Sequence, residues 1–339
     1  MPATWFEALF GFREAAYAET QGNLALRGTR LVSRVNGREF DVGTFTTPTV
    51  EELRAITFGK RPGRLRVRQE VIGDVLELHG QPQNAGALFQ VASQFNCLEF
   101  VGPQVTPEMG ITGYADDHTQ GPACALAAAA ATVYRNYFVP VDGIPGQTED
   151  RQLNLMDLLA ERLGTAGNLF EVRNGYTHSD AEKLTALGAV LRSKEREELL
   201  GSVKIGLQRR VQVTFRKRFL EPDRPAFVSQ AFASAVSCGY SRVAPELWEP
   251  LATLALAAAY EATLLAAVLD AEAGDGSGIV WLTFLGGGVF RNPKPWIASA
   301  IGGALSRCEQ VDLDVRVAHF GKLDREMHAA IESARCRLP

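Results

Sequence analysis

The hydrophobic and polar positions along the chain follow strand and helix periods in turn. Residues 86–92 form a run that is apolar apart from Gln90, which is typical of a strand covered on both faces. Residues 65–71 alternate between apolar and polar, as in a half-buried strand. Residues 279–285 are a further apolar segment of strand length, and residues 311–317 are predicted to form the final strand. We therefore expect an α/β fold in which residues 86–92 form a central strand.

Helical patterns separate these strands. Small or apolar residues at helical spacing predict helices over residues 1–20, 123–138, 181–200 and 251–269. Near the N-terminus, residues 24–45 predict one or two strands with a hairpin turn at Asn36-Gly37. Residues 75–78 fit either a strand or the start of a helix. This alternation indicates a layered α/β domain.

Composition and charge narrow the classes of partner. The chain has 339 residues, of which 46% are hydrophobic and 22% charged, and its formal net charge is −4. This charge provides no general attraction to nucleic acid or to an anionic membrane, and the short basic runs at residues 209–210 and 216–218 are predicted to be solvated faces. Residues 251–269 contain Glu261, so we expect a buried helix rather than a membrane span.

The cysteine pattern and the N-terminus indicate the compartment. The five cysteines show no CxxC pair and no Cys/His cluster, so we predict no metal site and expect reduced thiols. They are Cys97, Cys124, Cys238, Cys308 and Cys336. The first 20 residues lack the basic region and the sustained apolar region of a signal peptide. The sequence therefore predicts a cytoplasmic protein.

Residues 93–122 connect the central strand to an alanine-rich helix and are rich in acids. The acidic residues are Glu99, Glu108, Asp116 and Asp117. Gly121 and Pro122 mark the start of the helix, because a proline in the first turn gives up an N–H that has no intrahelical partner. A positive helix end can hold a phosphate, and a nearby carboxylate can activate water or bind a sugar hydroxyl. We expect both functions in this loop.

A second glycine-rich junction follows residues 279–285. Gly286, Gly287 and Gly288 permit positive φ and allow backbone N–H groups to approach a ligand, and a helix resumes near Pro295. Ligands bind at such positions in open α/β sheets. The junction lacks the Lys-Ser/Thr pair of a P-loop and the spacing of the dinucleotide fingerprint, which disfavours a nucleoside triphosphatase and a Rossmann dehydrogenase. The two junctions together predict a two-sided cradle for a diphosphate.

These segments resemble the ligand loops of the macrodomain superfamily, which binds ADP-ribose. The similarity rests on VASQFNCLE, DDHTQGPACA and GGGVFRN, and it runs from about residue 65 to residue 320. Together with YRNYF, YEATL and LTFLGGGVF, these segments are most similar to a divergent branch of hydrolases that remove ADP-ribose from arginine, including modified ubiquitin. The chain lacks the NAAN motif, the glycine run of the first loop and the QEE triplet of poly(ADP-ribose) glycohydrolases.

The resemblance implies a fold, a domain organisation and a reaction. The expected fold is a three-layer α/β/α macrodomain-like sandwich around a mixed sheet, with residues 1–64 as an N-terminal extension packed on the core and residues 65–339 as the catalytic domain. The expected reaction removes mono-ADP-ribose from protein arginine by attack of water at the anomeric carbon, without a cofactor. Its partners would be ADP-ribose or an ADP-ribosylated protein.

The resemblance also implies the site residues. Asp117 is the first candidate for the catalytic carboxylate, followed by Asp116 and Glu99, because a carboxylate near the anomeric carbon can orient water or stabilise positive charge. The implied ligand-binding residues are Gln94, Asn96, His118, Thr119, Gln120, Gly121, Ala123, Gly286, Gly287, Gly288, Val289, Phe290 and Asn292.

Alternatives remain for individual residues and for the whole protein. Asp116 could cap the following helix through Thr119, and His118 could serve only as a charge partner of the aspartates. Glu261 either bonds within the protein, which we favour, or projects into the cleft. A non-catalytic reader of ADP-ribose is the main functional alternative, and a metal-dependent nucleotide phosphatase is a third.

Overall fold

The structure is a computed structural model, which describes residues 4–215 and 225–335. Two predictions, the basic run at residues 216–218 and the thiol of Cys336, lie outside the described residues. The helices are α1 (Trp5–Phe10), α2 (Tyr17–Gly22), α3 (Val50–Thr57), α4 (Val75–His79), α5 (Gln120–Ala127), α6 (Ala129–Tyr137), α7 (Asp157–Leu163), α8 (Ala181–Ser193), α9 (Arg196–Gly201), α10 (Pro245–Glu272), α11 (Lys294–Arg307) and α12 (Arg325–Arg335).

The strands are β1 (Leu24–Arg27), β2 (Arg30–Ser33), β3 (Glu39–Asp41), β4 (Thr44–Thr46), β5 (Arg66–Ile72), β6 (Leu88–Ala92), β7 (Pro140–Val141), β8 (Ile144–Pro145), β9 (Glu171–Arg173), β10 (Tyr176–His178), β11 (Gly206–Val213), β12 (Ala226–Ala233), β13 (Ile279–Leu282) and β14 (Asp314–Phe320). Seven of them form the main sheet in the order β4-β11-β12-β6-β13-β14-β5. The strands from β12 to β5 in this order are parallel, whereas β11 is antiparallel to both β4 and β12. The sheet is therefore mixed, with β6 at its centre as predicted.

Helices cover both faces of this sheet. On one face α10 packs against α3, α8 and α11 and contacts β12 and β13. On the other face α5 packs on β6 and α6 packs on β11. The fold is the three-layer α/β/α sandwich around a mixed sheet that we expect from the sequence.

The N-terminal 64 residues are partly built into this sandwich. The strands β1 to β3 form a small antiparallel sheet of their own, with the predicted turn at Asn36-Gly37 between β2 and β3. The next strand, β4, pairs with β11 at the edge of the main sheet, and α3 begins at a capping box formed by Thr49 and Glu52. The N-terminal additions thus share the main sheet with the rest of the chain.

Several predicted helix boundaries are wrong. Residues 1–20 form two helices rather than one, because Gly11 adopts φ +79° and ends α1. Residues 123–138 also form two helices: Thr214 donates its N–H to the carbonyl of Ala127 and accepts from the N–H of Ala129, so the helical ladder is interrupted at Ala128. Residues 181–200 divide into α8 and α9. Residues 75–78 are helical, with Asp74 as the N-cap.

The helix α10 is the one element of the described chain that is long and apolar enough to cross a membrane by length and composition. In the structure 83% of its apolar window is buried, which agrees with the buried helix predicted for residues 251–269. The four described cysteines are free thiols and are buried as well.

Glu261 of α10 has the internal role that the sequence favours. Its carboxylate accepts from Arg54 Nε of α3 at 2.5 Å and lies 3.2 Å from Arg307 Nη1 of α11. The carboxylate is buried, whereas both arginines are partly exposed. One buried charge therefore joins three helices on the same face of the sheet.

We expect Glu261→Gln to lower the free energy of unfolding by about 1–3 kcal/mol, because the amide keeps the shape but loses the negative charge that pairs with Arg54 and Arg307. Denaturation in urea measures the change as a lower midpoint at an unchanged slope. Glu272→Gln is the matched control, since Glu272 is exposed at the end of the same helix. Equal midpoints for the two variants would contradict the role of Glu261.

Candidate functional site

The main cavity lies where the carboxyl ends of β6, β12 and β13 meet. The strands β6 and β13 pair only at Leu88 with Val280 and at Phe89 with Trp281, and no further register pair joins them. Beyond that point the side chain of Gln120 takes the place of a neighbouring strand: its Oε1 accepts from the N–H of Ala92 and its Nε2 donates to the carbonyl of Gln90, both at 2.8 Å. The predicted ligand residue Gln120 thus satisfies the backbone of β6.

The start of α5 packs closely on the end of β6. A Cβ at Gly121 would lie 2.0 Å from the carbonyl oxygen of Ala92, so only glycine allows this approach. The N-cap Thr119 makes no side-chain capping bond, and its own N–H donates to Asp117 Oδ1 at 2.8 Å. Asp117, rather than Asp116, therefore supports the helix start. The N–H groups of Gln120 and Gly121 have no intrahelical acceptor, and both residues line the cavity.

The loop after β13 forms the opposite wall. Gly286 adopts φ +71°, and a Cβ there would lie 2.5 Å from the Cβ of Ala235, so glycine is required. The loop is closed by backbone hydrogen bonds from Asn292 N–H to the carbonyl of Gly286 and from Arg291 N–H to that of Gly288. Within the described part of the chain, the N–H groups of Gly288, Val289 and Phe290 have no hydrogen-bond acceptor.

The cavity between these two loops has a volume of about 420 Å³. Its lining contains most of the predicted site residues, namely Gln94, Glu99, Asp116, Asp117, His118, Thr119, Gln120, Gly121, Gly286, Gly288, Val289 and Phe290. A second cavity of about 250 Å³ adjoins it, and His118, Thr119, Gln120 and Thr283 line both. Ala123 lines this second cavity, together with apolar side chains such as Ile72, Val75 and Phe320.

Glu99 lies at the floor of the main cavity and is fully buried. Both of its carboxylate oxygens accept from Arg135 Nη2, at 3.2 and 3.3 Å, and its N–H donates to the hydroxyl of Tyr114 at 2.8 Å. The other donors of Arg135 bind the carbonyl of Cys97 and the side-chain oxygens of Gln208 and Thr132. Burial raises the pKa of Glu99 to about 7, against the opposing effect of Arg135.

The two aspartates differ from Glu99 in their surroundings. Asp116 is exposed, and Asp117 is half-buried beside the start of α5. Neither aspartate forms an ion pair within the described residues, and the neighbouring His118 is exposed at the boundary of the two cavities. The site thus combines one buried carboxyl group with two solvated carboxylates.

Besides Gln120, three predicted ligand residues are hydrogen-bonded within the protein, and a fourth lies outside the lining of the cavity. Gln94 lines the cavity, but its side-chain amide is bound to the backbone of Phe100 in both directions. Asn96 is buried away from the cavity and binds Leu98 N–H and Gln152. Asn292 is buried and donates to the carbonyl of Val236. Gly287 is exposed and lies outside the lining of both cavities, and a Cβ there would contact the carbonyl of Phe284 and the side chain of Ile297.

Of the three aromatic side chains that form one wall of the cavity, the sequence identified only Phe290. Tyr176, Tyr240 and Phe290 contact one another with ring centroids 5.0 to 5.8 Å apart, and all three line the cavity. Tyr176 follows the turn at Asn174-Gly175, and nothing in the local pattern places it near residues 286–290. Arg135 was also missed, although a charged residue within an alanine-rich, apolar helix was a signal for a buried ion pair.

No group of three or more His, Cys, Asp or Glu side chains that could hold a metal ion occurs within residues 4–215 and 225–335. The groups that line the cavity include carboxyl groups, backbone donors and aromatic side chains.

We expect the Glu99 carboxyl group to titrate near pH 7. Its pKa in the unfolded chain is about 4.3, so the folded protein binds more protons between these two values. The contribution of Glu99 to stability is therefore fully present below about pH 4 and is lost as the pH rises through 7. Carbon NMR of glutamate-labelled protein should show one carboxyl signal with this midpoint, and Glu99→Gln should remove the signal.

Glu149→Gln serves as the control, because Glu149 is exposed and its loss should leave the signal unchanged. A midpoint at or below 4 would mean that Arg135 outweighs burial and that Glu99 stays ionised.

Comparison with known proteins gives similarity of fold only. No protein-family model and no curated protein matches the chain. It is similar to the poly(ADP-ribose) glycohydrolase from Deinococcus radiodurans in complex with ADP-ribose, with a TM-score of 0.44 and 13% identity over 86% of this chain and 93% of that one. It is also similar to the inhibitor-bound glycohydrolase from Thermomonospora curvata, with a TM-score of 0.39 and 15% identity over 90% and 93% of the two chains. Neither is described as an arginine-specific hydrolase.

Proposed function

We propose that this protein is an ADP-ribosyl hydrolase, which removes mono-ADP-ribose from protein arginine by attack of water at the anomeric carbon of the ribose. One observation carries the proposal: two loops with unpaired backbone N–H groups face a single cavity that also contains Glu99, Asp116 and Asp117. Backbone donors suit a diphosphate, and carboxyl groups suit the cleavage of a glycosidic bond. A binding pocket for a simple anion would not need the three acids.

The ligand would lie across both cavities. Its diphosphate would accept hydrogen bonds from the first turn of α5 and from residues 288–290, where positive helix ends and free N–H groups favour negative charge. The smaller, mostly apolar cavity suits a flat base, since Ile72, Val75 and Phe320 provide apolar contact there. The ribose to be cleaved would then lie in the larger cavity beside Glu99.

The carboxyl groups divide the chemistry between them. With a pKa near 7, Glu99 is partly protonated at neutral pH, so it can donate a proton to the leaving nitrogen or accept one from water. Asp117 can orient the attacking water or stabilise the positive charge that develops on the sugar. This hydrolysis would need no cofactor.

The exposed acids support arginine as the linkage residue. Asp116 is exposed at the cavity and, among the described residues, forms no ion pair, so it can face a cationic guanidinium leaving group. An ADP-ribosylated protein, with modified ubiquitin as one case, would approach from this side. The buried free thiols support a reducing compartment, and we propose a cytoplasmic location without a nucleic-acid or membrane partner.

A specific observation also favours the alternative, a non-catalytic reader of ADP-ribose. Both oxygens of Glu99 bind Arg135, and Asp117 Oδ1 binds the N–H of Thr119, so two of the three acids already have structural partners. The hydrolase and the reader share the same binding geometry and differ only in turnover.

Replacement of Gly288 by valine should weaken ADP-ribose binding at least about tenfold, near 1.4 kcal/mol. Gly288 lines the cavity and has no heavy atom within 4 Å of an added Cβ, so the new side chain would fit the fold and occupy ligand space. Calorimetry measures the affinity, and Gly22→Val is the control because its added Cβ also meets nothing within 4 Å. Unchanged affinity in a folded Gly288→Val protein would remove this loop from the binding site.

The reaction itself is tested with a set of substrates. We expect free ADP-ribose from arginine-linked protein and from modified ubiquitin, little from serine- or glutamate-linked protein, and none from poly(ADP-ribose) chains. Asp117→Asn keeps an oxygen acceptor for Thr119 but loses the charge, so it should lower single-turnover hydrolysis by about 10² while leaving ADP-ribose affinity within about tenfold.

Asp150→Asn is the matched control, since Asp150 is exposed and lies outside the lining of both cavities. Tight binding of ADP-ribose without release from any substrate would favour the reader. Release from poly(ADP-ribose) instead would reject the arginine assignment.

A further inference from the structure

Glu14 lies between α1 and α2, in the part of the chain that precedes the predicted catalytic domain. Its carboxylate accepts hydrogen bonds from the N–H of Ile111 at 2.9 Å, from the N–H and hydroxyl of Thr112 at 2.6 and 2.5 Å, and from the hydroxyl of Tyr137 at 2.7 Å. All these donors are neutral, and Glu14 has no ion pair among the described residues. A half-buried carboxylate is thus held by hydrogen bonds alone.

These bonds fix the loop that carries the acids of the cavity. Thr112 begins a single 3₁₀ helix, Thr112–Asp116, whose first N–H groups have no partner within the helix. On the same helix, the hydroxyl of Tyr114 accepts from the N–H of Glu99, and Asp117 follows directly. Glu14 is therefore connected, through the Thr112–Asp116 helix, to the three residues that carry the carboxyl groups of the cavity, while it lies outside the lining of the cavity.

The surrounding contacts show that the position of Glu14 is built into the fold. Gly110 adopts φ +85°, and a Cβ there would lie 2.6 Å from Glu14 Oε2, so the loop bends closely around the carboxylate. Trp5 Nε1 donates to the carbonyl of Thr112 at 2.9 Å. On the other side, Gln21 donates to the carbonyl of Tyr137 at 2.6 Å. The N-terminal segment is thereby attached both to this loop and to α6.

We propose that Glu14 is a positioning residue for the reaction, which holds the Thr112–Asp116 helix so that Asp116 and Asp117 keep their places at the cavity and Tyr114 keeps its hydrogen bond with Glu99. The inference rests on the proposed function for its kinetic part. In this proposal, the N-terminal segment supports the catalytic site through Glu14. The binding donors do not depend on this contact, because Gln120 and Gly121 anchor the start of α5 to β6 independently. Loss of Glu14 should therefore reduce turnover more than affinity.

The test compares Glu14→Ala and Glu14→Gln with Glu19→Ala in the full chain. Glu19 is an exposed residue of α2 and makes no side-chain hydrogen bond or ion pair with the described residues, so it controls for a lost charge in the same segment. The measurements are backbone amide exchange, single-turnover hydrolysis of arginine-linked ADP-ribose, affinity for ADP-ribose and melting temperature.

We expect Glu14→Ala to accelerate amide exchange at Ile111 and Thr112 at least about tenfold while exchange in β6 stays unchanged. Hydrolysis should fall at least about tenfold, and affinity should stay within about threefold. Glu14→Gln, which retains one oxygen acceptor and the side-chain shape, should give intermediate values, and Glu19→Ala should match the unmodified protein.

Three results would overturn the inference. These are unchanged exchange at Ile111 and Thr112, faster exchange with full hydrolytic activity, and a loss of activity that only follows the unfolded fraction. If the unmodified protein neither binds ADP-ribose nor releases it from substrates, the proposed function fails instead. The exchange measurement still decides in that case whether Glu14 holds the loop.

Discussion

The cavity depends on the separation of two neighbouring parallel strands at the centre of the sheet. After Phe89 and Trp281, β6 and β13 no longer pair, and the exposed backbone of β6 must find other partners because buried N–H and C=O groups are costly when unpaired. The side chain of Gln120 supplies both an acceptor and a donor at this point. The gap stays open at little cost in hydrogen bonds, and the helix that carries Gln120 brings its positive end to the opening.

The electrostatics of the site follow from the same geometry. The close approach of Gly121 to Ala92 brings α5 and the acidic loop over the end of β6, so Glu99 lies beneath the loop with no access to bulk water. A buried carboxylate needs a partner, which Arg135 provides, and the remaining donors of Arg135 are satisfied in turn by buried oxygens. Glu99 is thus both a part of the core and a part of the cavity. Burial in the core raises the pKa of Glu99, and the bonds from Arg135 hold its carboxyl group in one position at the cavity.

The N-terminal segment contributes a second carboxylate, that of Glu14, whose hydrogen-bond donors are of a different kind from those of Glu99. The carboxylate of Glu99 pairs with a guanidinium, whereas that of Glu14 accepts only from neutral donors, which are the N–H and hydroxyl groups of one loop and the hydroxyl of Tyr137. The surroundings of Glu99 determine the charge state of a carboxyl group in the cavity. The hydrogen bonds of Glu14 determine the position of the loop above that group. Tyr114 links the two, because its hydroxyl accepts from the backbone of Glu99. The acidic loop is therefore held from below by the core and from outside by the N-terminal segment.

The sequence by itself determined the elements whose signals are local. The apolar run of residues 86–92 identified the central strand, the Gly121-Pro122 pair identified a helix start, and the triple glycine identified the second loop. Most residues predicted from these signals line the cavity. Only the tertiary structure decided the contacts between distant segments: Arg135 with Glu99, Thr214 with the junction of α5 and α6, Tyr176 with Tyr240, and Glu14 with Thr112. Local periodicity reports which face of an element is buried, whereas the partner of a buried charge or of an interrupted helix comes from another part of the chain. Only packing brings that partner into contact, and a single sequence carries no signal for it.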